Sequence, residues 1–86
     1  MNINELIANI KNKLKTNIII ENIKIEDKSF LHKSHSGNQE GKFHLKILIQ
    51  SQELKQMSKI ESNKKIYNLL DKEIKNYIHS IQILVD

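Results

Sequence analysis

Four histidines, His32, His35, His44 and His79, are the residues of this chain whose type and spacing suggest chemistry. A neutral imidazole is a common ligand of transition metals. The chain contains no cysteine, so it offers neither a thiolate ligand nor a disulfide. Three of the four histidines lie in the segment 27–51, and a larger site requires the fold to bring His79 to that segment.

The segment 27–51 begins with a loop. Its first half is polar and contains both glycines of the chain, Gly37 and Gly41. Glycine permits backbone conformations that other residues resist, and the neighbouring Ser, Asn and Asp residues favour turns. A loop of roughly fifteen residues is long for a compact domain, and such loops are usually functional or disordered. The loop that carries His32 and His35 is therefore the first candidate for a functional site.

The second half of the segment predicts a strand over 42–51. Its apolar residues alternate with polar ones, which is the period of a half-buried strand. The apolar side consists of Phe43, Leu45, Ile47 and Ile49. His44 lies on the opposite, more polar side, and we interpret it as solvent-facing or structural.

Spacing and capping patterns predict the other elements. Apolar residues recur every three or four positions in two stretches, which is typical of amphipathic helices, and Ser58 with Glu61 forms a capping box that opens the longer one. The predicted apolar stripe of that helix consists of Ile60, Ile66, Tyr67, Leu70 and Ile74. The remaining predictions are a first helix ending at Thr16–Asn17, a strand over 18–26 with an irregular start, a helical turn over 51–57, a long helix from Ser58 to about Asn76, and a strand over 78–85.

This order of elements predicts one α+β domain over residues 1–86. We expect a small three-stranded mixed sheet with helices on one face, in the order α-β-β-α-α-β. The first two strands should be antiparallel. The last two are joined by a helical crossover of about 25 residues, which suits parallel strands with a right-handed connection.

The predicted topology brings the histidines together. The start of the last strand should lie at the loop end of the sheet, so His79 should meet the loop of His32 and His35. Two imidazoles at one edge form half of a metal site, too few to close a tetrahedral shell. Alternatively, His79 shares its side of the strand with Ile81 and Ile83 and packs at the rim of the core. A zinc site of His32, His35 and His79 has no supporting carboxylate spacing.

Charge and composition restrict the classes of function. The net charge is +4, and all 14 basic residues are lysines. Lysine neutralises phosphate but lacks the planar fork with which arginine reads guanine. We therefore expect a solvated surface with weak attraction to nucleic acid, for which Lys64 and Lys65 are the candidate residues. No serine is paired with a base and an orienting acid, and no phosphate loop is present, so we expect a protein that is not an enzyme.

The sequence also gives an expectation for the compartment. No apolar run approaches the roughly 20 residues needed to span a bilayer. The first residues lack the basic start and apolar stretch of a signal peptide. The absence of cysteine fits a reducing compartment. We therefore expect a cytoplasmic protein without a membrane partner.

Five short segments resemble motifs of the BolA family in their order and spacing. Together they extend from the first strand to the last, about three quarters of the chain. They are Ile25-Glu-Asp-Lys-Ser29, His32-Lys-Ser-His-Ser-Gly37, His44-Leu-Lys-Ile-Leu-Ile-Gln-Ser51, the stretch from Leu54 through Ser58 to Tyr67, and Ile78-His-Ser-Ile81.

The resemblance implies a fold similar to a type II KH domain and partnership with a monothiol glutaredoxin. It implies a [2Fe-2S] cluster shared between the two proteins and glutathione, with the isolated protein apo and either monomeric or weakly dimeric. His79 matches the family's histidine ligand near the C-terminus. The second ligand comes from the loop: counting back from His44 favours His35, and counting forward from Asp27 favours His32. Histidine in place of thiolate raises the potential of such a cluster.

The sequence also departs from the family pattern. The basic residues of the family's long helix are replaced here by Ser62-Asn63-Lys64, and the glycine of the preceding turn is Gln56. No Gly-x-x-Gly loop, with which KH domains clamp nucleic acid, is present. These departures weaken the alternative function, a KH-like transcriptional regulator that binds nucleic acid, and leave the histidines intact.

Overall fold

The computed structural model describes residues 2–29 and 42–86. The loop histidines, His32 and His35, lie outside the described residues. The described elements are α1 (Ile3–Asn17), β1 (Asn22–Asp27), β2 (Phe43–Gln50), α2 (Gln52–Lys55), α3 (Lys59–Leu69), α4 (Asp71–Tyr77) and β3 (Ile78–Val85). This is the predicted α+β arrangement, with four helices and a three-stranded mixed sheet.

The sheet has the strand order β1-β2-β3, with β2 in the centre. β1 pairs with β2 in antiparallel orientation, and β2 pairs with β3 in parallel, as the helical crossover predicted. Ile47 lies at the middle of the register, between Ile25 and Ile83. The register shifts at the start of β3, where Phe43 is opposite Ile78 but His44 is opposite Ser80. His79 is the extra residue of this bulge.

The core lies between one face of the sheet and the helices. α1 contributes Leu6, Ile10 and Leu14, all fully buried. Because side chains of a strand point alternately to its two faces, the apolar residues of β2 line the core and the others line the second face. We call this second face the open face; its residues include Lys24, Glu26, His44, Lys46, Leu48, Gln50, Ser80, Gln82 and Leu84.

The first strand begins four residues later than its composition predicted. Ile18 to Ile20 are β-branched, yet Ile18 packs in the core while Ile19 is 74% exposed. The backbone N–H of Glu21 donates to the carbonyl of Gln50 at 2.8 Å, where β2 ends. Among the described residues, the segment before Asn22 has no strand to pair with, because the chain after Gln50 turns into α2. It therefore connects α1 to the sheet.

The predicted long helix is two helices, α3 and α4. Leu70 separates them with φ −101° and ψ 17°, outside helical geometry. Its side chain is fully buried, and its N–H and carbonyl still bond to Ile66 and Ile74, which keeps the backbone satisfied through the break. Ile60 and Tyr67, predicted on the apolar stripe, are 80% and 42% exposed, and Ser62 is buried instead. The Ser58 cap is confirmed: its Oγ accepts from the N–H of Glu61 at 3.1 Å.

The prediction that no segment spans a membrane can be compared with the lengths of the helices. The longest described helix, α1, has 15 residues. None of the helices within the described part of the chain combines the length and hydropathy that crossing a bilayer requires.

One ion pair ties α2 to α3. Lys65 Nζ lies 3.0 Å from Glu53 Oε2, and the N–H of Ile19 donates to Glu53 Oε1 at 3.2 Å. The Lys65 ammonium, and then this N–H, lower the pKa of the Glu53 carboxyl below its ordinary value. A carboxylate held in this way stabilises the fold above its unfolded pKa, about 4.3, and the contribution is lost as the pH falls through the lower folded pKa.

We therefore expect Glu53→Gln to be less stable than the wild type near pH 7, with the difference shrinking as the pH falls below about 4. Urea unfolding of both proteins at several pH values measures this. A difference in the free energy of unfolding that stays constant between neutral and acidic pH would contradict the role assigned to the ionised carboxylate.

Candidate histidine site at the end of the sheet

His79 lies at the start of β3, at the end of the sheet that also holds the last residue of β1 and the start of β2. Its predicted place at the start of the last strand is thus confirmed, while its predicted meeting with the loop of His32 and His35 falls outside the described residues. The alternative, that it packs at the rim of the core with Ile81, is wrong, because His79 is exposed. The bulge is the physical reason: one extra residue in β3 lets Ile78 and Ile81 both pack at the core and takes His79 out of the alternation.

His44 is buried, with 4% of its surface exposed, so its solvent-facing interpretation is wrong and the structural one remains. Its backbone is held on one side by the end of β1. The N–H of His44 donates to Ser29 Oγ at 3.0 Å, and its carbonyl accepts from the N–H of Lys28 at 2.7 Å. Its ring Nδ1 lies 2.7 Å from Ser80 Oγ on β3. These contacts fix the side chain between the two neighbouring strands.

The rings of His44 and His79 contact each other. Their centroids are 4.8 Å apart, and the ring planes are inclined by 54°. The sequence predicted that His79 would meet a loop histidine; within the described residues its neighbour is His44. No group of three histidines or carboxylates that could hold a metal occurs in the part of the chain that the structure describes.

A transition metal at this end of the sheet would find one exposed imidazole among the described residues. His79 presents an exposed imidazole, which is a suitable ligand for iron in a cluster. A single exposed imidazole cannot complete a coordination shell, so the remaining ligands have to come from elsewhere. The described residues therefore fit a half-site.

Two lysines and a carboxylate lie near His44 on the open face. A surface depression of about 480 Å³ is lined by residues that include Lys28, His44, Lys46 and Ser80. Lys28 Nζ lies 2.8 Å from Glu26, and this hydrogen bond lowers the pKa of the Glu26 carboxyl. The charges of Lys24 and Lys46 act in the same direction. The Glu26 carboxylate offsets the charge of Lys28, and Lys46 adds a further cation beside the depression.

The lysines predicted for a nucleic-acid surface, Lys64 and Lys65, line one depression together with Glu61. Lys65 is also paired with Glu53, which offsets its charge. A groove of about 300 Å³ between the α2–α3 turn and β3 instead has Lys55 and Lys59 on its rim. Sequence reasoning missed these two lysines; their position on either side of the turn at 56–58 is the signal that could have found them.

Comparisons with known proteins agree with this geometry. The family model described as BolA-like protein matches residues 14–85. The DNA-binding transcriptional regulator BolA of Haemophilus influenzae is 34% identical over 59 residues, which cover 69% of this chain and 54% of that protein. The chain thus spans about half the length of this curated relative.

Two solved structures have a similar fold. The BolA domain of SufE1 from Arabidopsis thaliana superposes with a TM-score of 0.76 at 26% identity, covering 92% of this chain and 87% of that one. BolA1 from the same plant gives a TM-score of 0.75 at 23% identity with the same coverage. The family match over nearly the whole chain, together with this fold, shows that the chain belongs to the BolA-like family.

Proposed function

We propose that this protein is a non-enzymatic partner of a monothiol glutaredoxin and contributes histidine ligands to a [2Fe-2S] cluster that the two proteins share with glutathione. The observation that carries the proposal is the exposed imidazole of His79, set by a bulge at the end of the sheet and in contact with a buried second histidine. The loop that contains His32 and His35 joins β1 to β2 at this same end.

Because this chain would supply only part of the ligands of a cluster, the proposal requires a partner that supplies the others. In this proposal His79 is one ligand, and His35 or His32 is the second. Because the chain has no cysteine, both ligands that it offers are neutral imidazoles. The glutaredoxin cysteine and glutathione supply thiolates to the other iron. Histidine ligation gives a cluster a higher reduction potential than thiolate ligation alone. Such a role belongs to cluster trafficking or to iron and redox regulation.

The charge of the site supports an anionic partner. A thiolate-ligated cluster carries net negative charge, and glutathione adds carboxylates. Lys28 and Lys46 line the depression beside the histidine pair. Lysines near a binding edge increase the rate of association with an anionic partner and make it sensitive to salt.

A titration followed by visible circular dichroism tests the proposal. The protein is added anaerobically to a monothiol glutaredoxin loaded with a [2Fe-2S] cluster. We expect a change of the cluster spectrum that saturates near one equivalent, because a ligand exchange at one iron alters its electronic transitions. An unchanged spectrum at an excess of this protein would overturn the proposal.

A second candidate function, binding of nucleic acid, is favoured by one observation. The relative from Haemophilus influenzae is named a DNA-binding transcriptional regulator. In this chain, Lys55 and Lys59 on the rim of the groove beside β3 are placed to contact phosphates. The uncharged Asn63 also lines this groove.

Salt dependence distinguishes a phosphate contact from other binding. We expect the logarithm of the affinity for duplex DNA to fall with the logarithm of salt concentration by about 0.9 per phosphate contact. Lys55→Gln combined with Lys59→Gln should reduce this slope by up to about 1.8. Fluorescence anisotropy with a labelled duplex measures it, and Lys72→Gln on α4 controls for the loss of a lysine away from the groove. Absence of binding at low salt would remove this function.

A further inference from the structure

We propose that His44 is a positioning residue for His79: locked by Ser80, its buried ring holds the imidazole of His79 in one orientation at the end of the sheet. The expected effect on cluster binding rests on the proposed function. The contact between the rings of His44 and His79 is a property of this chain alone and can be measured without a partner.

His44 is rigidly held. It lies on the central strand with 4% of its surface exposed. Its backbone is bonded to Ser29 and Lys28, and its ring Nδ1 is 2.7 Å from the hydroxyl of Ser80. A buried ring with a hydrogen-bond partner on the neighbouring strand has few rotamers open to it, because rotation would break that bond and clash with the packed surroundings.

Within the part of the chain that the structure describes, the ring contact given for His79 is with His44, at 4.8 Å between centroids. His79 is exposed, and as the extra residue of the bulge it is outside the regular alternation of β3. An exposed side chain normally changes rotamer on a nanosecond timescale. The His44 ring therefore restricts a side chain that would otherwise be mobile.

Orientation matters for a histidine ligand. A metal accepts the nitrogen lone pair along a defined direction, and residues that fix a ligating ring commonly contribute about 10–100-fold to metal affinity. A ring contact that fixes the plane of His79 before the partner arrives removes part of the entropic cost of ligation. We therefore expect His44 and Ser80 to strengthen binding of a cluster-loaded partner without coordinating the metal.

The first test uses the isolated protein, labelled at histidine with ¹³C and ¹⁵N. Three-bond couplings about χ1 of His79 report whether its ring has one rotamer or several. We expect one dominant rotamer in the wild type and averaged couplings in His44→Gln, which has no ring but can still hydrogen-bond to Ser80. Ser80→Ala should also produce averaging, and Ser80→Thr, which keeps the hydroxyl, should restore the single rotamer.

The controls separate positioning from a loss of folding. Gln50 lies on β2, the strand of His44, at its far end and on the same face. Gln50→Ala should therefore leave the His79 couplings unchanged. Ser80 is exposed, so Ser80→Ala keeps the fold even if a change at the buried His44 does not. Identical His79 couplings in the wild type and in folded Ser80→Ala and His44→Gln would overturn the inference.

The second test uses the cluster-loaded glutaredoxin. We expect the midpoint of the dichroism titration to rise about tenfold for Ser80→Ala and to return with Ser80→Thr. An unchanged midpoint for Ser80→Ala, alongside binding by the wild type, would overturn the role in cluster binding. Failure of the wild type itself to alter the cluster spectrum would instead overturn the proposed function, while the couplings of the free protein still report on the positioning of His79.

Discussion

His79→Ala is expected to keep the fold and to weaken binding of a cluster-loaded monothiol glutaredoxin by tenfold or more. The fold should survive because His79 is exposed, and surface substitutions usually change the free energy of unfolding by less than about 0.5 kcal/mol. Binding should fall because, in the proposed complex, the substitution removes a ligand of the cluster. Loss of groups that merely support such a ligand already costs about 10–100-fold in metal affinity.

The titration midpoint of the visible dichroism change measures this effect. Gln50→Ala is the matched control, since Gln50 is also exposed and lies at the opposite end of the sheet. The free energy of unfolding of both variants should be close to that of the wild type. Equal midpoints for His79→Ala and the wild type would remove His79 from the ligand set.

Ile47→Ala is expected to lower the free energy of unfolding by about 2–5 kcal/mol. Ile47 is fully buried at the centre of β2, between Ile25 and Ile83 on the adjacent strands. Its truncation removes apolar contacts with both neighbours and leaves a cavity that a three-stranded sheet can only partly close. Domains of this size have a total stability of about 5–15 kcal/mol, so the loss is a large share of the whole.

Urea unfolding followed by far-ultraviolet dichroism gives the free energy. Leu84→Ala is the comparison, because Leu84 is a large apolar residue on the open face with 40% of its surface exposed. Leu84→Ala should lower the free energy of unfolding by well under half as much as Ile47→Ala. Ile47→Val, which removes a single methylene group, should cost about 0.5–1.5 kcal/mol. A loss below about 1 kcal/mol for Ile47→Ala would contradict the packing described for β2.

Local patterns were sufficient to predict most of the fold. The alternation in 42–51 and 78–85 marked β2 and β3, and the helical residues between them implied the parallel pairing that the structure has. The cap at Ser58 predicted the start of α3. These features are predictable because they depend on neighbours within a few residues.

The predictions that were wrong concern elements whose structure depends on contacts between residues far apart in the sequence. The β-branched residues Ile18 to Ile20 suit a strand, but no partner strand extends beside them. Leu70 breaks the predicted helix without a glycine or proline, because its side chain is fully buried where α3 meets α4.

The histidine site was likewise only partly predictable, because it depends on the pairing of separate strands. Alternation assigned His79 to the side of Ile81, and only the pairing of β3 with β2 reveals the bulge that moves it. His44 looked like a polar residue on a polar face. In the structure it is buried and hydrogen-bonded to Ser29 and Ser80, which are 15 and 36 residues away in the sequence. The sequence thus located His79 at the right end of the sheet but did not predict which histidine it contacts.

Pulsed electron paramagnetic resonance tests histidine ligation most directly. The mixed cluster is assembled with this protein labelled at histidine with ¹⁵N and an unlabelled glutaredoxin, and is then reduced to its paramagnetic state. We predict a strong ¹⁵N hyperfine coupling, because a ligating nitrogen carries unpaired spin density, and we predict its loss in His79→Ala. A reduced mixed cluster without ¹⁵N coupling, or with a coupling that persists in His79→Ala, would contradict the ligation proposed for His79.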